Sequence, residues 1–289
     1  PHLRVSLTPY YGHLRFVNLN YFASPQGIAL PIVYTNYLGY NFEITFDNTR
    51  NRGLNMIEGT RFKLGATTQI ATNAENQNFT KFYADIRNYT RIHKDLTWAN
   101  RFSAGSFIGN GRKNFLLGGM DNWLFNRTNT QGDGNPIGIA SNSSLGNHSD
   151  LLFNEYVTNL RGFPFSQLFG NNFLLFNSEL RWPIIKYLIR RQIKSNFLRN
   201  FQIAGFYDVG TAWSGENPFG EENSFNTQVI ENTPFRAVVT NYRNPFLQGY
   251  GFGIRTRAAG YYTKIDIAWG VLDYNVRPVT FYLTMGYDF

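Results

Sequence analysis

The sequence predicts an all-β fold, a transmembrane antiparallel β-barrel, and three observations carry that prediction. The first is composition. There are 27 Phe and 18 Tyr, and 17% of residues are aromatic, yet the mean hydropathy is slightly polar at −0.33. A soluble core draws mainly on Leu, Ile and Val, whereas a membrane barrel needs one apolar face per strand, aromatic girdles at both interfaces and an inner face that can be polar. The second is pattern: apolar and polar residues alternate with a period of two through most of the chain, and helical periodicity is scarce. The third is strand length. Alternating stretches such as Phe79–Ile92 are far longer than the roughly five or six residues usual in soluble sheets, and they suit a membrane crossing. No stretch approaches the roughly 20 consecutive apolar residues of a transmembrane helix. Such a chain can cross lipid only as a closed barrel, because lipid tolerates no unpaired strand edge.

Taken in order, residues 1–38 are the least clear. Tyr40–Asp47 then sets Phe42, Ile44 and Phe46 against Asn41, Glu43, Thr45 and Asp47. Gly59–Ile70 sets Phe62, Leu64, Ala66 and Ile70 against Arg61, Lys63, Thr67 and Gln69. Phe79–Ile92 sets Phe82, Ala84, Ile86 and Ile92 against Lys81, Asp85, Arg87 and Arg91, and Leu96–Gly109 continues with Trp98, Phe102 and Ile108 on one side. In a barrel the apolar set faces lipid and the charged set the lumen; in the competing soluble sandwich the apolar set would be buried between sheets. The second half reads as five strands, Phe173–Trp182, Phe201–Trp213, Tyr250–Ala258, Tyr261–Val271 and Val279–Phe289, with Pro183 ending the first by withholding a ladder donor. The expected total is ten to twelve strands. Thr72–Asn78 and His93–Asp95 are short turns, while Asn126–Ser149 and Ser214–Gln248 are long polar loops. Short connections on one side and long ones on the other are the habit of outer-membrane barrels.

The formal charge is +8, from 27 Lys+Arg and 19 Asp+Glu. Basic residues are scattered singly, with no run longer than Arg190-Arg191. A basic lumen or anionic lipid headgroups account for them, and no nucleic-acid motif is present. The absence of cysteine discriminates little. The Asn-x-Ser/Thr triplets at Asn78, Asn88, Asn126, Asn142 and Asn147 are what chance gives in so Asn-rich a chain. His2, His13, His93 and His148 have no metal-ligand spacing. There is no nucleophile elbow and no phosphate-cradling loop. Gly249-Tyr250-Gly251-Phe252-Gly253 falls within an alternating strand, where glycine relieves crowding on the lumen side or permits a bend. No catalytic residue, cofactor or metal is implied, and the chain is not expected to be an enzyme.

One constellation stands out. Leu160-Arg161-Gly162-Phe163 precedes two strands that each aim one acid inward. Leu180 and Trp182 share the lipid face, so Glu179 points to the lumen; Tyr207 and Val209 face out, so Asp208 points in. An arginine carried inward by a re-entrant loop could pair with both acids through charge-assisted, bidentate bonds. On spacing alone, a solvated loop arginine explains Arg161 better.

The same residues resemble the V/L-R-G-F/Y signature of the sixth extracellular loop in BamA/TamA-type barrels, the outer-membrane assembly factors of the bacterial surface antigen superfamily. Further segments match in order: Phe115–Gly119 resembles the strand leading into that loop, Phe173–Leu180 the strand after it, and Phe206–Gly210 the F-x-D-x-G strand. Gly251–Arg255, Ile265–Trp269 and Phe281–Phe289 resemble the last three strands and the C-terminal assembly signal. Thr45–Thr60 resembles an upstream hairpin of the family, although Glu58 stands where a proline is usual. The resemblance spans roughly Tyr40 to Phe289. It reverses the reading of Arg161: in the family this arginine turns into the lumen onto the acids matching Glu179 and Asp208.

The resemblance implies a single barrel domain over residues 1–289, with loop six over about residues 126–170. Members typically have 16 strands, so the chain is expected to be the C-terminal part of a larger protein, and Pro1 a processed end or an internal point. The implied function is insertion, assembly or translocation of outer-membrane proteins in the bacterial outer membrane. The implied partners are outer-membrane lipids, substrate proteins and periplasmic or lipoprotein accessory subunits. Loop six would be latched by Arg161, Gly162, Phe163, Glu179 and Asp208. The assembly signal and seam would comprise Phe281, Leu283, Met285, Tyr287 and Phe289 on the lipid face, with Gly286 inward as a weak point because glycine destabilises strand pairing. The alternatives are a barrel that anchors an upstream enzyme or binding domain, and a passive diffusion channel.

Overall fold

A computed structural model describes residues 2–16, 33–53, 55–73, 77–129, 154–189, 192–220, 227–232, 235–240, 243–258 and 260–286. Ten wall strands follow one another: β1 (Leu3–Phe16), β2 (Val33–Asp47), β3 (Met56–Ala71), β4 (Phe79–His93), β5 (Leu96–Ile108), β6 (Asn172–Trp182), β7 (Gln202–Trp213), β8 (Leu247–Ala258), β9 (Tyr261–Leu272) and β10 (Thr280–Met285). Each pairs antiparallel with the next, giving one continuous sheet. Arg50–Gly53 and Asn275–Val276 add short pairings to β3 and β9. Among the described residues no ladder joins β10 back to β1; the sheet ends at β1 on one side and, beyond β10, at the two-residue strand Trp123–Leu124.

The alternation read from the sequence is the inside/outside alternation of this wall. Register lines up Ile44, Leu64, Ala84, Ala104 and Leu174 across β2 to β6. Phe62, Ile86, Phe102 and Phe176 form the neighbouring outward row. Trp98, Phe102 and Ile108 are 46%, 43% and 58% exposed, as side chains meant for lipid rather than a core must be. No helix among the described residues is long and apolar enough to cross a membrane. Two short helices, Ile184–Leu188 and Asn196–Arg199, fill the β6–β7 connection, the first beginning after Pro183.

The structure departs from the sequence reading in two places. Ser214–Gln248, expected to be loop, contains a hairpin, Thr227–Asn232 paired with Phe235–Thr240. Phe115–Leu117 is not part of the wall. It lies between Leu168–Gly170 and Glu155–Val157 in a separate three-stranded sheet, because the wall position before loop six is already taken by β5. The last strand is described only to Met285, and Tyr287 and Phe289 lie outside the described residues.

The small sheet and the turn that follows it sit on the inner side of the wall, against β4 to β8 and, through Tyr282, β10. Phe115, Leu117, Val157, Leu160, Phe163 and Leu168 from this plug pack against Phe79, Phe107, Phe173, Leu175, Ala212 and Leu247 of the wall. Phe115 stands at 4.6 Å, ring to ring, from both Phe107 and Phe173. Under the plug the inner face therefore carries an apolar patch beside a buried set of charges, Glu179 and Asp208 among them.

Candidate functional site: an inward turn against the terminal strands

Arg161 is brought to the wall by a turn that only a glycine can complete. Gly162 has φ +89, and a Cβ on it would meet the Gly270 backbone nitrogen at 2.5 Å. The wall makes matching room. Asp208 pairs in register with Gly249, and Gly249 with Gly270. This row is a glycine floor onto which the Arg161-Gly162 backbone is laid, and a Cβ on Gly249 would run into the Arg161 carbonyl oxygen. The glycines of β8 thus serve close approach on the inner side.

The arginine side chain then meets both acids. Nε and Nη2 of Arg161 donate to the two carboxylate oxygens of Asp208 at 2.7 and 2.8 Å, while Nη1 donates to Glu179 Oε2 at 2.8 Å. The Arg161 backbone N–H adds a bond to Asp208 at 3.2 Å, and the guanidinium carbon lies 3.5 Å from the centre of the Phe206 ring. A planar fork on a carboxylate, stacked on an aromatic face, is the arrangement for which arginine is suited and lysine is not. Burial works against the charge on Arg161, but the carboxylates of Asp208 and Glu179 outweigh it and raise its pKa above the ordinary arginine value.

The cluster extends beyond the three residues expected. Arg181 Nε and Arg255 Nη2 also donate to Glu179, at 3.0 and 3.3 Å, and Arg255 Nη1 donates to Asp266. Asn177 Nδ2 donates to Asp208 at 2.8 Å and also to the Asn159 carbonyl of the plug. Arg161, Arg181, Arg255, Glu179, Asp208 and Asp266 are each at most 1% exposed. Charges removed from water this completely persist only when paired and hydrogen-bonded. Arg181 was legible in principle, since alternation puts it on the face of Glu179. Only register, however, brings Arg255 and Asp266 to the same spot.

The last strand takes part through its inner face. The Gly162 N–H donates to the Tyr282 hydroxyl at 2.8 Å, and that hydroxyl donates to the Phe163 carbonyl at 2.8 Å. Tyr282 lies between the outward Phe281 and Leu283, and the sequence reading, attentive to the lipid-facing set, missed it. Phe281 and Met285 are exposed and Leu283 is half-buried, on one side of β10; Tyr282 and Thr284 are buried on the other. Gly286 lies one residue past the strand at φ +127, with its N–H bonded to the Tyr262 carbonyl at 2.9 Å. Arg161, Gly162, Phe163, Glu179, Asp208 and Tyr282 thus converge in one site. Phe281, Leu283 and Met285 lie on the opposite face of the wall. Among the described residues no group of His, Asp and Glu could hold a metal.

Comparison with known proteins identifies the family and the fold. The profile of the Omp85 superfamily domain matches residues 35–289. Among solved structures, BamA from Haemophilus ducreyi lacking POTRA domains 1–3 superposes with a TM-score of 0.54 at 10% sequence identity, covering 99% of this chain and 52% of that one. The chain therefore spans about half the length of the structure it matches. No curated protein sequence matches it. With a family domain over most of its length and the wall of such a barrel, the chain belongs to the Omp85 superfamily and is a β-barrel protein of the bacterial outer membrane.

Proposed function

We propose that this chain is the C-terminal wall and plug of a barrel that inserts or assembles other outer-membrane proteins. The observation that carries the reading is the position of the Arg161-Gly162-Phe163 turn, which bonds to Glu179 of β6 and Asp208 of β7 and, through Tyr282, to β10. The turn belongs to loop six, over about residues 126–170. It acts as a latch that holds the plug and sets the inner face of the terminal strand. The chemistry is mechanical and breaks no bond. An incoming strand adds to the edge of β10 through main-chain hydrogen bonds, which lowers the barrier to insertion into lipid. Outer-membrane lipids, substrate barrels and periplasmic or lipoprotein subunits are the partners of such a reaction.

The test is reconstitution of the full-length protein in liposomes with an unfolded outer-membrane barrel as substrate. Substrate folding, read as protease protection, is expected to be faster than in empty liposomes and slowed by Arg161→Ala. No acceleration by the unaltered protein would reject assembly and leave the anchor reading. Large steady currents across a planar bilayer would favour a diffusion channel.

A further inference from the structure

The outer edge of β10 is not bare. Trp123–Leu124 pairs with it antiparallel, Leu124 opposite Leu283 and Trp123 opposite Thr284. These two residues obey the alternation of the wall they join. Leu124 is exposed on the lipid side, as are Phe281 and Met285, whereas Trp123 is buried on the inner side. The Trp123 ring lies 4.5 Å from the Tyr282 ring and 5.7 Å from that of Phe165. A segment of the plug therefore stands where a further wall strand would stand.

The pairing is short and held under strain. It engages two residues of the strand Thr280–Met285, whereas β9 pairs with that strand along its whole length. Asn122 and Phe125, immediately before and after it, have φ of 53° and 60°. That region disfavours a residue as bulky as phenylalanine, and such conformations persist only where the surroundings impose them. The Phe125 side chain is 88% exposed, so packing of that side chain does not hold the turn. Among the described residues the buried Thr284 hydroxyl has no hydrogen-bond partner, so the cap leaves polar capacity unused. A sheet edge covered in this way is blunted against stray association, yet it is open to a strand that pairs over more residues.

We infer that Trp123–Leu124 is an intramolecular stand-in for the strand that β10 accepts, and that it defines the kind of strand that replaces it. That partner is an antiparallel strand with apolar residues in register with Phe281, Leu283 and Met285, and with an aromatic side chain on the inner face that packs on Tyr282. The inference rests on the reading of β10 as an edge for strand addition, and it adds a cap that must leave first. Because Tyr282 touches both Trp123 and the Gly162-Phe163 backbone, replacement of the cap is felt at the latch.

The chain contains no cysteine, so an engineered disulfide reports unambiguously. Directly opposed residues of an antiparallel pair fall within bridging distance, while diagonal neighbours lie at roughly 7–8 Å. In the full-length protein in liposomes, Leu124→Cys with Leu283→Cys is expected to form a reducible intramolecular cross-link under mild oxidation. Leu124→Cys with Phe281→Cys is expected to form much less. Equal yields, or none from the first pair, would overturn the cap. A synthetic ten-residue strand of alternating apolar and polar residues, with tryptophan at one polar-face position, is expected to lower the cross-linking yield; the same peptide with serine for tryptophan should lower it less. Equal competition by the two peptides would overturn the aromatic requirement, and competition by neither would overturn displacement. Once formed, the cross-link should abolish acceleration of substrate folding, with recovery on reduction. Full acceleration by the oxidised protein would overturn the cap as a barrier. If the unaltered protein never accelerates folding while register cross-linking and peptide competition hold, the assembly reading fails and the displaceable cap stands.

Discussion

The two halves of the wall are built alike and stabilised differently. In β1–β5 the inner face carries ion pairs that keep contact with water. Lys63 donates to Glu43 at 2.6 Å with the lysine side chain 48% exposed, and Asp85 takes Arg87 and Arg101 at 2.5 and 2.7 Å while each remains partly exposed. Between this wall and Glu155–Thr158 of the plug lies a polar cavity lined by Glu43, Lys63, Lys81, Asp85 and Arg101. In β6–β10 the inner charges are buried under the plug, and every bond of the Arg161 cluster is made without solvent. The strands alternate in the same way in both halves. What differs is whether the inner charges keep contact with water or are sealed from it, and that sets the energetic weight of the same residue types.

Substitutions that treat the two halves alike are therefore expected to behave very differently. The largest effect belongs to Arg161→Ala, which takes the arginine from the buried Asp208 and leaves Glu179 with Arg181 and Arg255 alone. A loss of about 3–5 kcal/mol is expected at such a site, read as a lower melting temperature and as protease cleavage within the plug. A normal melting curve with an intact plug would place the stability of this half elsewhere. Next is Gly249→Ala, whose added Cβ meets the Arg161 carbonyl; overpacking of this kind costs about 1–3 kcal/mol. The control is Gly205→Ala in β7, where a Cβ meets nothing within 4 Å, and its melting temperature should hardly change. Tyr282→Phe removes the hydroxyl shared by Gly162 and Phe163. Leaving a buried N–H unpaired costs about 1–3 kcal/mol, and hydrogen exchange at Gly162 should rise without a change in the wall strands. Smallest is Lys63→Ala in the solvated half, expected below about 1 kcal/mol and further reduced by salt. If Lys63→Ala rivalled Arg161→Ala, the contrast between the halves would collapse.

Much of this was legible in the residues. Glu179 and Asp208 are inward because Leu180, Trp182, Tyr207 and Val209 are outward, and two-residue periodicity is a local property of an extended chain. The outward set Phe281, Leu283 and Met285 follows in the same way. Arg161 was not legible from spacing alone, since nothing local distinguishes a latched arginine from a solvated one. Its bonds to acids 18 and 47 residues away exist only through the fold. Tyr282, Arg255 and Asp266 escaped for the same reason: which inward residues share a row is decided by register between strands. The displacement of Phe115–Leu117 from wall to plug shows a further limit. A short apolar run reads as a strand whether its neighbours are the wall or the interior sheet.

The sequence by itself therefore determined the all-β class, the face each wall residue presents and the absence of a membrane-length apolar helix. All of these depend on side-chain order within one strand. Only the tertiary structure decided that one half of the inner face would be dry, that three arginines and three acids would meet there, and that Trp123–Leu124 would cover the last edge. Those outcomes depend on long-range register and on where a loop is laid, and the physics of either is set by what lies opposite in space.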